Sequence, residues 1–384
     1  MPARPRRRAI VAIAAALCSV TLVAPAATAT SSPLAFPVGT PNSAEPSGLG
    51  PPGPNELPGY YQSSVTSFTS GALPAGWEAF IGKPGSDPGA QWAATHVRVG
   101  DGLLTLSAFP DPAFGNAWVT GGLCQCGVAH TYGAYFVRSR LTGPGPTQVE
   151  LLWPTAGSGW PPEIDFSETY GLTNYSMATA HFTSANKEIH DWVYLDVTQW
   201  HTWGVVWSAT SITYTVDGRV WGSITRAEAI PQQPMTLDIQ QQTWCQLGWA
   251  CPTSPQELQV NWVAEYQRSA QSTFVLSPFA ARSSTLTPGL ETRIAQLVTA
   301  IRSGGERRVL LVGYGDQASP TSSAAWSVAS RRAEAVKEYL STVLATQGVR
   351  GISITPVNNG NAVAALLTPA STGGPRRVVA LLSR

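Results

Sequence analysis

The chain of 384 residues is poor in charge. Lys and Arg number 24, Asp and Glu 23, and the four together make 12% of the residues. With an apolar content of 43%, that scarcity excludes global disorder. A net charge of +1 argues against a nucleic-acid binder, which would be strongly basic. Cysteine and histidine are scarce too, at 5 each, and no His stands at zinc-ligand spacing from a Cys pair. Beyond the first 23 residues no apolar run is long enough to span a bilayer. What the chain does have is Gly (36), Pro (31) and Trp (14), a composition that favours a loop-rich, β-dominated body. Thirteen of the tryptophans fall between Trp77 and Trp262, which marks a large β core, a stacking surface, or both.

The small net charge conceals an asymmetry. Residues 60–269 carry 8 basic and 16 acidic side chains, whereas residues 270–384 carry 12 and 5. Two modules with different partners are expected. The N-terminus reads as an export signal over residues 1–29. Arg4, Arg6, Arg7 and Arg8 precede the apolar run Ala9 to Val23, and Ala27-Thr28-Ala29 offers a small-residue cleavage site. An exported chain is expected to be secreted or held at the cell wall, and its four remaining cysteines to form disulfides. Three pairings of Cys124, Cys126, Cys245 and Cys251 are open, and the short loop from Cys245 to Cys251 is the preferred bridge.

Residues 30–62, rich in Pro, Gly and Ser, are expected to form a disordered leader. From 63 to 269 short runs alternate with period two, among them Ala134-Tyr135-Phe136-Val137-Arg138 and Ile212-Thr213-Tyr214-Thr215-Val216. Asp217-Gly218 marks a hairpin turn after the latter. Such spacing indicates a two-sheet sandwich. Over residues 270–384 the pattern changes to a small α/β module. Thr287-Pro288 caps a helix whose face carries Leu290, Ile294, Leu297, Val298 and Ile301, and a second helix spans Ala324 to Leu344.

The segment Trp160-Pro161-Pro162-Glu163-Ile164-Asp165-Phe166-Ser167-Glu168 carries the chemistry. In a regular strand Glu163 and Asp165 share a face and Glu168 does not. One extra residue at Phe166-Ser167, a β-bulge, returns Glu168 to that face. The outer carboxylates would then lie roughly 13 Å apart at Cα, four strand steps, and inward-leaning side chains would leave about 5–6 Å between them. That gap suits a retaining rather than an inverting glycosidase. Three like charges on one face also hold at least one proton to higher pH, as a general acid requires. Because Ile164 and Phe166 point into a core, the strand is expected to be internal, lining a cleft rather than facing bulk solvent.

These residues resemble the active-site signature of glycoside hydrolase family 16, in its laminarinase-like, bulged form. Tyr132-Gly133-Ala134-Tyr135-Phe136, Ala180-His181-Phe182, Trp200-His201-Thr202-Trp203 and Val216-Asp217-Gly218 extend the likeness over about 200 residues. The resemblance implies a mostly β, concanavalin-like jelly-roll sandwich with a cleft on its concave face. It implies Glu163 as nucleophile, Asp165 as the residue that tunes it and Glu168 as acid/base. Many members carry two Trp just before the signature, where this chain has Thr147-Gln148-Val149-Glu150-Leu151-Leu152-Trp153. Trp153, Trp160, Trp192 and Trp244 are candidates for stacking on sugar rings, Gln240 and Gln242 for hydrogen bonds to hydroxyls, and His181 as partner of the carboxylates. No cofactor and no metal ligand is called for.

In the C-terminal module, Leu310-Leu311-Val312-Gly313-Tyr314-Gly315-Asp316, the run Val328 to Val336 and Arg376-Arg377 resemble the OmpA-like, peptidoglycan-associated domain. The resemblance implies that Asp316 and Arg332 hold the peptide stem of peptidoglycan, an Asp suiting an ammonium group and an Arg fork a carboxylate. Gly315 stands where that family usually has Thr. The expected whole is an exported endo-glycosidase acting on a β-1,3- or mixed-linkage glucan and held at the wall. The rival reading is a non-catalytic carbohydrate-binding or wall-anchoring protein that kept the carboxylates.

Overall fold

The structure, a computed structural model, describes residues 35–85, 89–269, 271–317, 323–372 and 374–383. The expected signal peptide lies outside the described residues. Two antiparallel sheets face one another from Tyr60 to Arg268. In the first, seven strands run in the order Lys187–Val193, Ser176–Phe182, Glu163–Glu168, Thr147–Pro154, Met235–Gln242, Gly122–Cys124 and Glu78–Ala79. The second centres on Gly133–Leu141 between His201–Trp207 and Gln256–Arg268. Leu152, Ile164, Phe166, Ala180 and Leu237 of the first sheet meet Tyr135, Val137, Trp203, Val205 and Val260 of the second in one core. This is the mostly β sandwich that the alternating runs imply. Among the described residues no helix is long and apolar enough to cross a membrane.

The leader differs from expectation. From Ala35 the Pro/Gly-rich segment is laid against the second sheet, and its order comes from contacts distant in sequence. Trp262 Nε1 donates to Leu49 O (3.0 Å), Tyr266 OH to Gly53 O (3.0 Å), and Thr202 Oγ1 to Val38 O (2.7 Å). Phe36, Leu57 and Tyr60 are buried. A segment without periodicity of its own is thus fixed by side chains some 200 residues away, which local composition does not reveal.

The C-terminal module forms a four-stranded sheet in the order Ser272–Leu276, Val378–Ser383, Arg308–Gly313, Ser353–Asn358. Helices Pro288–Gly304 and Ser323–Thr346 cover one face of it. Thr287 Oγ1 accepts from Leu290 N at the first helix's start, and Leu290, Ile294, Leu297, Val298 and Ile301 are all buried, as the periodicity predicts. The second helix lies so close that a Cβ on Gly313 would sit 2.0 Å from Ala329 O, so only Gly fits there. The sheet's other face is not free. Leu310, Val312, Val357, Val379 and Leu381 pack with Ala134, Phe136, Val206, Trp262, Ala264 and Tyr266 of the sandwich in one apolar cluster. Each fully buried Val, Leu or Phe side chain among them contributes about 1.5–3 kcal/mol. The sandwich's second sheet is therefore covered on both faces, which explains why Ala134 to Val137 reads as an unbroken apolar run.

Candidate active site

The bulge in Glu163–Glu168 sits where the carboxylate spacing requires it. Leu151 pairs with Asp165 and Glu150 with Ser167, so Phe166 is the extra residue on that edge; Thr179 pairs with Asp165 and Met177 with Glu168 on the other. The break in the ladder is filled by Ser176, whose hydroxyl accepts from Glu168 N (3.1 Å) and donates to Glu168 O (3.2 Å). Gln148 Nε2 donates to the buried Ser167 hydroxyl at 3.1 Å. Ile164 and Phe166 enter the core while Glu163, Asp165 and Glu168 line up on the opposite face. Partners in register share a face, so rows cross the sheet. One row runs Cys124, Asp238, Leu151, Asp165, Thr179, His190, and the next Gln240, Val149, Glu168, Met177, Trp192.

The hydrogen bonds tie the row together. Trp160 Nε1 donates to Glu163 Oε2 at 2.6 Å, and Thr179 Oγ1 donates to Glu168 Oε2 at 3.1 Å. His181 Nε2 lies 3.3 Å from Asp165 Oδ2, and its Nδ1 faces Asn186 Oδ1 (2.9 Å) and Glu188 Oε1 (3.4 Å). Burial, then the charge of Asp165, pushes the Glu163 carboxyl well up; burial, then Glu168, does the same to Asp165. Glu168 is pushed up to about 7, by burial foremost, with the Thr179 hydrogen bond pulling the other way and Glu163 adding like charge. Glu163 and Asp165 crowd like charge together, so the pair holds a proton to higher pH than an isolated carboxyl would. Glu163, Asp165 and His181 each bring a ligand atom within 4.8 Å of the others, a spacing that suits a cation as well as a shared proton. The Trp160 N–H, a donor aimed into that group, fits the proton rather than a cation.

Beside Glu163 opens a cavity of about 780 Å³. Trp153 and Trp160 stand on its wall, half-exposed and stacked with ring centroids 6.2 Å apart, and Gln240 and Gln242 line it. Phe80, Trp92 and the Cys124–Cys126 disulfide complete that wall. Of the other tryptophans singled out in the sequence, Trp192 lies on the outer strand, its ring against Tyr175 and His190, beyond Glu168 in its row. Trp244 stacks on Trp249 at 4.8 Å, and neither lines the cavity. The second disulfide joins Cys245 to Cys251, the preferred bridge. Thr179, Asp238, Phe80 and Trp92 escape the sequence reading. Strand-pairing register brings Thr179 and Asp238 to the site, Phe80 and Trp92 reach the cavity from segments outside the long strands, and no local motif signals any of them.

Asp316 and Arg332 do come together in the C-terminal module, but in a different role. Arg332 is fully buried. Its guanidinium donates to Ala280 O, Ser283 O and Tyr314 O at 2.8–2.9 Å and to Asp316 Oδ1 at 2.6 Å. Arg282 N donates to the other Asp316 oxygen at 2.7 Å. Desolvation of Asp316 opposes these bonds, yet they hold its carboxyl below the usual range. The fork expected to grip a ligand carboxylate is used within the protein. Arg332 holds loop and Asp316 in place, and the part-exposed edge of Asp316 is what faces outward.

Comparison with known proteins agrees with this division. Residues 86–264 match the profile described as glycosyl hydrolases family 16, and residues 278–376 match the OmpA family. No curated protein matches the chain. Among solved structures, the catalytic domain of an endo-1,3-beta-glucanase (laminarinase) from Thermotoga petrophila is 18% identical, with 55% of this chain and 99% of that one covered and a TM-score of 0.49. The laminarinase from Rhodothermus marinus is 22% identical, with 55% and 98% covered and a TM-score of 0.49. The endo-beta-1,3-glucanase from Pyrococcus furiosus is 19% identical, with 54% and 94% covered and a TM-score of 0.47. The row of carboxylates and the two profile matches make the chain a glycoside hydrolase, its residues 86–264 belonging to glycosyl hydrolase family 16 and its residues 278–376 to the OmpA family.

Proposed function

We propose that the chain is an exported, retaining endo-glycosidase that hydrolyses β-glycosidic bonds of a polysaccharide, a β-1,3- or mixed-linkage glucan first among them. The observation that carries this reading is the bulge, which sets Glu163 and Glu168 on one face of one strand with Asp165 between them. Glu163, with Trp160 N–H on one oxygen, attacks the anomeric carbon while Glu168 gives its proton to the leaving oxygen. Asp165 holds the pair's proton as charge leaves Glu163, and His181 orients Asp165. Glu168, now ionised, then takes a proton from water, and that water releases the sugar. The glucan preference follows from the resemblance to laminarinase-like members and from the aromatic wall of Trp153 and Trp160.

The N-terminal Arg-rich and apolar run supports export, and the OmpA-family domain supports retention at the wall through peptidoglycan, with Asp316 facing the stem and Arg332 positioning it. The test is reducing-end release from a glycan panel by the wild type and by Glu163→Gln. Turnover of a β-1,3-glucan by the wild type alone supports the reading, and equal turnover by both proteins overturns it. Sedimentation with peptidoglycan by the wild type and Asp316→Ala tests the second domain. Loss of sedimentation in the variant alone supports that site, and equal retention rejects it.

A further inference from the structure

Among the described residues, the Glu168 carboxyl receives one side-chain hydrogen bond, from Thr179 Oγ1 at 3.1 Å. Thr179 is buried and pairs in register with His190 on the outer strand Lys187–Val193. The same Oγ1 lies 3.2 Å from His190 Nδ1. A hydroxyl has one proton. If it points to Glu168, only lone pairs are left for His190, and Nδ1 must bring its own N–H. If Nδ1 is bare, it competes for that proton and Glu168 loses its donor. The opposite ring nitrogen, Nε2, lies 3.3 Å from Glu188 Oε2, again an acceptor. Asn186 Nδ2 donates to Glu188 Oε1 at 2.9 Å, and His181 Nδ1 lies 3.4 Å from that oxygen. Glu188 thus stands between two histidines, one reaching Asp165 and the other reaching Glu168 through Thr179. The remaining neighbour of the ring on its own face is Trp192. Asp191 points to the far side, where it meets Gly222 and Ser223 of the strand Arg219–Ile224. The strand is the edge of its sheet, so among the described residues no further strand faces His190.

We propose that His190 is a positioning residue for the acid/base: its Nδ1–H holds the Thr179 hydroxyl turned toward Glu168, and Glu188 holds the ring in the orientation that does this. The proposal rests on the glycosidase reading, in which Glu168 is a carboxylic acid before the leaving oxygen takes its proton and a carboxylate afterwards. A donor kept in place favours the carboxylate, so it stabilises the transition state in which that charge develops. Without His190 the hydroxyl is free to turn away, and the new charge is left in a buried cleft beside Glu163 and Asp165. Burial raises the Glu168 carboxyl and the Thr179 hydrogen bond opposes it, in keeping with that role. The link from His190 to Glu168 runs through the Thr179 hydroxyl.

The test compares full-length wild type, His190→Phe, His190→Asn, Thr179→Val and the double variant Thr179→Val with His190→Phe on a soluble β-1,3-glucan, following kcat/KM from about pH 5 to 9. His190→Phe, which keeps a ring but no N–H, should lower kcat/KM about tenfold and move its alkaline fall upward by up to about one pH unit. The sign follows from the hydrogen bond, because a carboxylate without its donor holds its proton more tightly. His190→Asn, whose amide N–H stands near the Nδ1 position, should recover kcat/KM to within about threefold of the wild type and bring the fall back. Thr179→Val should behave as His190→Phe does, and the double variant no worse than either, because the ring acts through the hydroxyl. An unmoved pH profile in His190→Phe, no recovery in His190→Asn, or losses that add in the double variant overturn the role of His190. Melting transitions check that each variant is folded, and if His190→Phe is not, Thr179→Val against His190→Asn carries the same comparison. Reducing-end release by the wild type separates the two readings. Hydrolysis with all variants alike rejects only the His190 assignment, whereas a wild type that hydrolyses no glycan of the panel rejects both.

Discussion

The two domains each bury charge, and they do it in opposite ways. At the cleft Glu163, Asp165 and Glu168 crowd like charges together, with Asp165 Oδ1 short of a hydrogen-bond donor from the scaffold. In the C-terminal domain Arg332 is more deeply buried still, yet three carbonyls and Asp316 take its N–H groups, and Asp316 has both oxygens bonded. The first arrangement is unfavourable until a substrate and a travelling proton arrive. The second is complete without any ligand. At these two places incomplete partnering of buried charge goes with a cleft, and complete partnering with architecture. The same sequence-level feature, charge at an internal position, carries opposite meanings that only the partner geometry distinguishes.

The comparison can be broken most sharply at the cleft. Replacing Glu163 or Glu168 with Gln should lower kcat by at least roughly 10²–10⁴-fold while leaving the melting transition in place or slightly raised, since a crowded charge is removed. Thermal scans beside initial rates check both halves. Next in size is removal of residues 270–384. It uncovers Phe136, Trp262, Ala264 and Tyr266 on the sandwich. The shortened chain should lose about 10 °C or more of Tm or associate through that face, as calorimetry and light scattering would show. A truncated chain as stable and monomeric as the whole would mean the shared apolar cluster holds nothing together.

Arg332→Ala should destabilise the C-terminal domain by roughly 3 kcal/mol in denaturant unfolding, because three carbonyls and Asp316 lose their donor. Activity at the cleft should be untouched. If stability is unchanged and only peptidoglycan sedimentation falls, the arginine is a ligand group after all, and the contrast between the domains fails.

The smallest effect is in pH. With Glu168 held up to about 7, kcat should fall as pH rises through about 7 and the acid is lost. Stability should divide by domain. Burial raises Glu150 to about 8 and Glu265 to about 7, so native protein keeps protons there that the unfolded chain releases. Their contribution is full below the ordinary carboxylate range and is lost as pH rises through 7 to 8. Asp316 is shifted down, so its contribution is present above the ordinary range and is lost on acidification. As pH falls from 8 towards the ordinary carboxylate range, amide-exchange protection should rise in the sandwich, and in the C-terminal domain it should fall only once the pH drops below that range.

Much of this was legible in the residues. The spacing of Glu163, Asp165 and Glu168 demands a bulge, and the bulge is there. The face Leu290, Ile294, Leu297, Val298 and Ile301 gives a buried helix stripe. These features depend on neighbours within a few residues, where periodicity speaks directly. What was hidden depends on distant pairing. Phe36, Leu57 and Tyr60 order the leader only because Trp262 and Tyr266 wait on a strand far along the chain. Asp238 becomes a cleft residue only through its register with Leu151 and Cys124. Trp192 and Trp244 show the converse. A tryptophan outside a core looks alike in sequence whether it stands on the cavity wall or on a neighbouring surface.

The central claim is that Glu163 and Glu168 form a double-displacement pair, and the stereochemistry of the first product tests it most directly. Proton NMR during the first minutes of β-glucan hydrolysis records which anomer appears before mutarotation. A double displacement releases the β-anomer first. Initial release of the α-anomer would mean a single displacement by water and would contradict it.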